Sequence, residues 1–176
     1  MLKAFILRLD PQLFRSLKAA ALAQKISINA YCVNRLSKRS EVIGSHADVI
    51  QKLQKLFADD LVGVVLFGST ARGTQTASSD VDFMIVLNSR CPISTALYRQ
   101  WDAEFDSANL SPHFVHLSDN IEKLGSLWLE VALEGKTLFD STGLVENTLR
   151  KLRQLIAQGK FRRSMTYGVP YWKKVA

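Results

Sequence analysis

The feature that most constrains the fold of this chain is a Gly-Ser pair followed, ten residues later, by two aspartates, in "LFGSTARGTQTASSDVDFMIV" (66–86). Apolar residues on both sides predict two strands, Val62–Phe67 and Asp80–Leu87. An unpaired carboxylate is costly to bury, and side chains at positions i and i+2 of a strand point to the same face. Asp80 and Asp82 therefore repel each other unless a cation lies between them.

The Gly-Ser pair has the properties of a phosphate-binding turn. A tight turn from a buried strand into a helix directs backbone N–H groups outward, and such groups bind phosphate. Gly68 allows a close approach of the backbone, and Ser69 adds a hydroxyl. Asp80 and Asp82 supply the oxygen ligands that Mg²⁺ prefers together with substrate phosphates. Nucleotidyl transfer requires this combination, because the metal neutralises the triphosphate and aligns the attacking and leaving oxygens.

This Gly-Ser-x10-Asp-x-Asp pattern resembles the signature of the minimal nucleotidyltransferases of the DNA polymerase β superfamily, and the resemblance extends over residues 46–145. It implies an α/β (α+β) fold and an enzyme. The implied reaction moves a nucleoside monophosphate from ATP or another nucleoside triphosphate to an acceptor, with Mg²⁺. The resemblance assigns nucleotide binding to Gly68, Ser69, Arg72 and Ser79, and catalysis and metal binding to Asp80 and Asp82.

The chain departs from that family pattern at one position. Members that catalyse transfer carry a third carboxylate on a later strand, and the candidate strand here, Phe114–Leu117 in "PHFVHL", offers His113 or His116 instead. Three alternatives stay open. A histidine serves as the general base, a carboxylate arrives from elsewhere, or the site binds nucleotide without turnover. The acids at 102–106 fall in a predicted helix.

The first forty residues form a second pattern, in which a strand, "KAFILRLD", precedes two short helices. Asp10 as N-cap and Pro11 at the first helical position predict the start of the first helix. The pattern over residues 3–39 resembles a ribbon-helix-helix domain of the Arc/MetJ type. Such domains are dimers whose paired strands enter the major groove. A role in dimerisation or partner binding without DNA recognition stays open. The resemblance implies DNA contacts from Arg8, Ser27 and Asn29.

The alternation of strands and helices after residue 46 predicts an α/β layer fold. Three segments are expected: a ribbon-helix-helix-like unit (1–40), a nucleotidyltransferase domain (46–145), and a C-terminal helix with a basic, aromatic tail (146–176). Within them we predict a helix at 93–109, a strand at Lys136–Asp140 and a last helix at Leu144–Ala157. The tail aromatics Tyr167, Tyr171 and Trp172 stack on a base or a partner, or pack on the protein's own core.

The net charge of +7 is unevenly distributed. Residues 1–45 carry eight basic and two acidic side chains. Residues 46–140 carry seven basic and thirteen acidic side chains, and residues 141–176 carry eight basic side chains and one acidic side chain. This division favours separate roles for the three segments. No apolar run approaches the roughly 20 residues of a membrane span, and the charged N-terminus is not typical of a signal peptide. Cys32 and Cys91 lack metal-ligand spacing, which fits a reducing cytoplasm.

The two resemblances together point to a toxin–antitoxin pair. Minimal nucleotidyltransferases of this kind act as antitoxins that adenylylate a partner toxin, typically of the HEPN type, and many antitoxins repress their own operons through a ribbon-helix-helix segment. The expectation is therefore a DNA-binding antitoxin, a homodimer or larger, that transfers AMP to a toxin. The alternatives are a degenerate nucleotide- and DNA-binding regulator, or a transferase acting on tRNA or a small molecule.

Overall fold

The chain divides into two compact units, Met1–Ala47 and Asp48–Ala176. The predicted N-terminal strand with Arg8 and the predicted linker (37–44) lie outside the described residues. None of the helices that are described is long and apolar enough to cross a membrane. The computed structural model describes residues 9–34, 36, 46–76, 79–105, 109–118, 120–166 and 169–175.

The first unit contains two helices whose starts the sequence predicts. Helix α1 (Pro11–Ala23) begins after Asp10, whose carboxylate accepts hydrogen bonds from two backbone N–H groups of the first turn at 3.0 and 2.9 Å. Residues 28–34 are helical again (α2). The hydroxyl of Ser27 accepts a hydrogen bond from the N–H group three residues on, at 3.0 Å. Both helices therefore start at side-chain N-caps, which satisfy backbone donors that a helix leaves unpaired.

The second unit is a four-stranded sheet with helices on both faces, followed by a two-stranded ribbon. Single turns of 3₁₀ helix lie at Ala58–Asp60 and Ile121–Lys123. The remaining elements are α3 (Ala47–Phe57), β1 (Leu61–Phe67), α4 (Gly68–Arg72), β2 (Val81–Leu87), α5 (Thr95–Glu104), β3 (Leu110–His116), α6 (Ser126–Glu134), β4 (Lys136–Asp140), α7 (Leu144–Ala157), β5 (Phe161–Thr166) and β6 (Val169–Lys174).

The sheet has the order β3-β2-β1-β4. Strand β1 pairs antiparallel with both β2 and β4, whereas β2 and β3 are parallel. The antiparallel register sets Phe67, the last residue of β1, opposite Asp82 near the start of β2. The mixed α/β fold expected from the alternation of elements is confirmed, and its central strand pair brings the two halves of the sequence motif to one end of the sheet.

Each face of the sheet is covered by helices. On one face, side chains of β1 and β2 pack against α6 and α7. On the other, the ring of Phe114 in β3 makes edge contacts with Phe57 of α3 and Trp101 of α5, at centroid distances of 5.9 and 6.0 Å. The core on the α6–α7 side includes Val65, Phe67, Met84, Val86, Trp128, Val131, Val145, Leu149 and Leu152.

The observed elements differ from the prediction most clearly in three places. Helix α5 covers Thr95–Glu104, whereas the prediction extended it over residues 93–109, and residue 110 already belongs to β3. Strand β3 begins at Leu110, four residues before the predicted strand, because the parallel ladder with β2 continues to that residue. The predicted tail contains the antiparallel ribbon β5–β6. Its adjacent cations, Arg162–Arg163 and Lys173–Lys174, obscured it because they interrupt the apolar–polar alternation that predicts a strand. Strand β4 and helix α7 have the predicted bounds.

Candidate active site

The Gly-Ser turn lies directly against the second aspartate of the motif. Gly68 starts α4 with φ +72°, a left-handed conformation that side chains other than glycine rarely adopt. A Cβ atom at Gly68 would overlap Oδ2 of Asp82. The site therefore needs glycine for two reasons, the backbone conformation and the space that the carboxylate occupies.

The start of α4 presents backbone N–H groups that no N-cap side chain bonds. Phe67 precedes the helix in an extended conformation and makes no side-chain capping hydrogen bond. The first N–H groups of a helix have no intrahelical partner, and such groups favour anions. Ser69, in the first turn, adds its hydroxyl. The arrangement next to Asp82 can accept a phosphate and a cation side by side.

Asp82 has a histidine beside it. The Nε2 atom of His113 lies 3.7 Å from Oδ1 of Asp82 and 3.4 Å from the hydroxyl of Ser111. The imidazole packs edge-on against Phe67 with ring centroids 5.1 Å apart. The side chains of Asp82 and His113 are 27% and 42% exposed, so both can reach a molecule bound from solvent. The parallel register sets Ser111 directly opposite Asp82, which places this trio on one face.

Asp80 directly precedes β2 and is exposed. With Asp82 it provides two carboxylates, and Mg²⁺ is commonly held by one or two carboxylates plus substrate phosphates and water. The donor set therefore fits a magnesium ion that binds together with a nucleotide. Among the described residues, no group of three or more His, Cys, Asp or Glu side chains could hold a metal by itself.

His116 lies away from Asp82. It is three residues beyond His113 in β3, so its side chain points to the opposite face of the sheet. Its Nε2 atom is 2.8 Å from the backbone carbonyl oxygen of Cys91. The acids Asp102 and Glu104 belong to α5, which packs on that opposite face. Asp106 lies outside the described residues. Of the two predicted histidines, the structure brings only His113 to Asp82.

Arg72 and Ser79 are engaged within the protein. The Nη1 atom of Arg72 lies 2.6 Å from Oε1 of Glu134 and so ties α4 to α6. The hydroxyl of Ser79 accepts a hydrogen bond from the backbone N–H of Thr76 at 2.9 Å. These contacts hold the ends of the segment that joins the Gly-Ser turn to the aspartates.

Three residues of this region escaped the sequence-based prediction: Phe67, Ser111 and Glu134. Phe67 could have been found, because it is the last apolar residue before the Gly-Ser pair. Ser111 and Glu134 carry no local signal, since their positions depend on the β2–β3 register and on the packing of α6 against α4.

The two arginines of α7 are bonded to partners within the protein. Arg153 donates to Oε1 of Glu146 and to the backbone carbonyl oxygen of Ala132. Arg150 donates to Asn147. None of these three contacts involves the Gly-Ser turn.

A mixed sheet that presents a Gly-Ser turn and an Asp-x-Asp pair at one end defines the class of nucleotidyl-transferring enzymes. The family model described as "Nucleotidyltransferase domain" matches residues 46–140, more than half of the 176-residue chain. The chain belongs to this family and is a transferase.

A second family model, described as "HicB family", matches residues 1–36. This match does not identify the segment as a ribbon-helix-helix domain, and the strand that would define one falls in residues 1–8, outside the described part of the chain.

Individual proteins are similar to this chain over 62–65% of its length. MJ1305 of Methanocaldococcus jannaschii, named as a candidate protein adenylyltransferase, is 29% identical over 120 residues, which are 64% of this chain and 82% of that protein. A crystal structure described as a toxin–antitoxin with AMP-PNP aligns with a TM-score of 0.43 at 22% identity, over 62% of this chain and 88% of its own. The Shewanella oneidensis complex of a tri-AMPylated HEPN toxin with an MNT antitoxin aligns with a TM-score of 0.44 at 17% identity, over 65% and 86%.

Proposed function

We propose that this protein transfers AMP from ATP, with Mg²⁺, to a hydroxyl group of a partner protein, and that it serves as the DNA-binding antitoxin of a toxin–antitoxin pair. The observation that carries the catalytic part is the contact between the Gly68 backbone and the Asp82 carboxylate. The turn proposed to bind phosphate and the carboxylate proposed to bind the metal meet at this point.

In this proposal the triphosphate binds the N–H groups at the start of α4 and the hydroxyl of Ser69. Asp80 and Asp82 hold the magnesium ion, which neutralises phosphate charge when bound. The acceptor oxygen attacks the α-phosphorus of ATP, the bond to the bridging oxygen of pyrophosphate breaks, and His113 takes the proton of the acceptor hydroxyl. His113 fills this role better than His116 because it lies 3.7 Å from Asp82.

A protein acceptor is favoured by the similarity to the M. jannaschii protein, whose name describes protein adenylylation. The proposal that the acceptor is a toxin rests on the sequence resemblance of residues 46–145. The proposal that DNA is a second partner rests on the resemblance of residues 3–39.

Replacing either aspartate tests the metal site. Asp80→Ala and Asp82→Ala should abolish transfer of label from [α-³²P]ATP to the protein encoded beside this chain in its genome, because the triphosphate charge is then left uncompensated. Wild-type protein with MgATP at about a hundred times its Kd should gain roughly 2.7 kcal/mol of unfolding free energy, and the variants should gain little.

Asp59→Ala is the matched control, since Asp59 is an exposed acid next to the opposite end of β1. Each variant is compared with its own nucleotide-free sample. Full labelling by Asp80→Ala or Asp82→Ala would refute the metal assignment. Nucleotide binding without labelling of any acceptor would favour the regulatory alternative.

Replacing the histidines tests the proton acceptor. His113→Ala should keep the stabilisation by MgATP but lower the rate of transfer by about 10²–10⁴, the usual contribution of a general base. His116→Ala should leave transfer unchanged, because His116 contacts the Cys91 carbonyl on the other face. Single-turnover labelling separates the two variants, and undiminished transfer by His113→Ala would exclude it as the base.

A further inference from the structure

The β5–β6 ribbon has two chemically different faces. Residues that are directly opposite in an antiparallel pair share a face, and faces alternate along each strand. Arg163 is opposite Trp172, whereas Arg162 is opposite Lys173 and Ser164 is opposite Tyr171. We call the face with Arg163 and Trp172 the inner face. The outer face carries Arg162, Ser164, Tyr171 and Lys173.

The inner face is anchored to the rest of the second unit. Phe161 is buried in the core beside α7. Arg163 donates from Nε and Nη2 to the two carboxylate oxygens of Glu130 on α6, both at 3.0 Å. Trp172 donates from Nε1 to Oε1 of the same carboxylate at 2.8 Å. A two-stranded ribbon is marginal by itself, so these contacts hold it in place. On the outer face the two cations are exposed, and Ser164 and Tyr171 are half-buried.

The outer face carries positive charge that the ribbon does not balance. Arg162 and Lys173 are exposed and lie directly across the two strands from each other. Like charges in that position destabilise a strand pair, and neither strand contains an acidic residue. An anion bound between the two side chains would relieve the repulsion.

An aromatic ring lies next to these cations. The Nζ atom of Lys173 is 5.3 Å from the centroid of the Tyr171 ring. The pKa of the Tyr171 hydroxyl is lowered by hydrogen bonding, chiefly with Thr166 and to a lesser extent with Lys173. Cations that follow a phosphate backbone, together with a ring on which a base stacks, are the usual means of binding single-stranded nucleic acid.

We propose that the outer face of the β5–β6 ribbon binds single-stranded nucleic acid, with Arg162 and Lys173 on phosphates and Tyr171 stacked on an unpaired base. An acidic protein surface would pair with the two cations but would leave the ring without a role. The ribbon lies beyond the residues that match the nucleotidyltransferase family (46–140). The ribbon and helix α4 are both attached to α6. Glu130 binds Arg163 of the ribbon, and Glu134, one helical turn later, binds Arg72 of α4.

Fluorescence anisotropy of the full chain with labelled 12-nucleotide oligouridylate and oligodeoxythymidylate tests the proposal. Unlabelled duplex DNA in excess occupies duplex sites elsewhere in the chain. Arg162→Gln with Lys173→Gln should weaken binding about tenfold at 150 mM salt and reduce the log–log salt slope by about 1.4, since each phosphate contact on a single strand contributes about 0.7. Tyr171→Ala should weaken binding about tenfold with the slope unchanged, and Tyr171→Phe should retain it, because stacking needs the ring alone.

Lys55→Gln with Arg99→Gln is the matched control, since these exposed cations belong to α3 and α5 on the other side of the sheet. Its affinity should equal that of wild type. Four results would overturn the proposal: no binding by wild type at 50 mM salt, an equal loss in the control, tighter binding of the duplex through the same residues, or equal competition by a polyglutamate peptide with no effect of Tyr171→Ala. Circular dichroism and melting temperature check that each variant is folded.

Discussion

At the scale of single residues, the site depends on one contact, that between the Gly68 backbone and the Asp82 carboxylate. The left-handed conformation of Gly68 turns β1 into α4, and the missing side chain leaves room for Asp82. Gly73, at the other end of α4, has nearly the same conformation, φ +75°, but nothing lies within 4 Å of the position of its Cβ. Substitutions at these two glycines therefore distinguish the cost of the left-handed backbone conformation, which both share, from the cost of crowding Asp82, which occurs only at Gly68.

Gly68→Ala should therefore abolish nucleotide binding and transfer, whereas Gly73→Ala should keep both. Each substitution places a non-glycine residue in the left-handed region, which costs about 1 kcal/mol or more of unfolding free energy, and Gly68→Ala should lose more because Asp82 must move. Chemical denaturation and MgATP-dependent stabilisation measure the two effects. Equal behaviour of the variants would show that the carboxylate does not need this space.

At the scale of elements, α4 needs support from outside itself. A helix of five residues is too short to be stable alone. The Arg72–Glu134 ion pair links it to α6, and the backbone N–H of Thr74 donates to the carbonyl oxygen of Ser69 at 3.0 Å. The orientation of the Gly-Ser turn thus depends on Glu134, which lies 62 positions after Arg72 in the sequence.

Arg72→Ala and Glu134→Ala should each lower the stability by up to about 1 kcal/mol, because Arg72 is 46% exposed and solvent screens the pair. They should weaken nucleotide binding to a similar extent, and the double variant should be no worse than the single ones. Chemical denaturation and ATP titration of the wild type, the two single variants and the double variant complete this double-mutant cycle. The exposed Lys52–Glu104 pair is the control. A much larger effect of Arg72→Ala on ATP would mean that Arg72 contacts a phosphate.

At the scale of the whole molecule, the two units differ in how much apolar surface they cover. The second unit has a continuous core between its sheet and helices. The first unit leaves several large apolar side chains exposed, a pattern that marks interaction surfaces. These are Leu13, Phe14, Leu22, Val33 and Leu36.

Deleting residues 1–45 should yield a monomer that no longer binds duplex DNA, because the apolar surface and the +6 charge of that segment are removed. The remaining chain should keep its stabilisation by MgATP, since the Gly-Ser turn, the aspartates and His113 all belong to the second unit. Light scattering measures whether the truncated chain is a monomer, and a binding assay with duplex DNA measures whether it has lost DNA binding. A truncated chain that still has the mass of a dimer of residues 46–176 would refute dimerisation through the first unit.

The sequence by itself determined the features that depend on neighbouring residues. Asp10 and Ser27 predict helix starts because a capping side chain bonds to N–H groups two or three residues on. Apolar patterning predicts β4 and α7 with their observed bounds. The Gly-Ser turn and the Asp-x-Asp pair could be predicted for the same reason. The backbone conformation of the turn and the metal-binding chemistry proposed for the aspartates depend on a short stretch of chain.

Only the tertiary structure decided which distant residues meet. The parallel register of β3 on β2 places His113, and not His116, beside Asp82, and a shift by one residue would have reversed the faces. The packing of α6 joins Glu134 to Arg72 and Glu130 to the ribbon. Those contacts depend on strand pairing and helix packing between segments far apart in the chain, which no local pattern specifies.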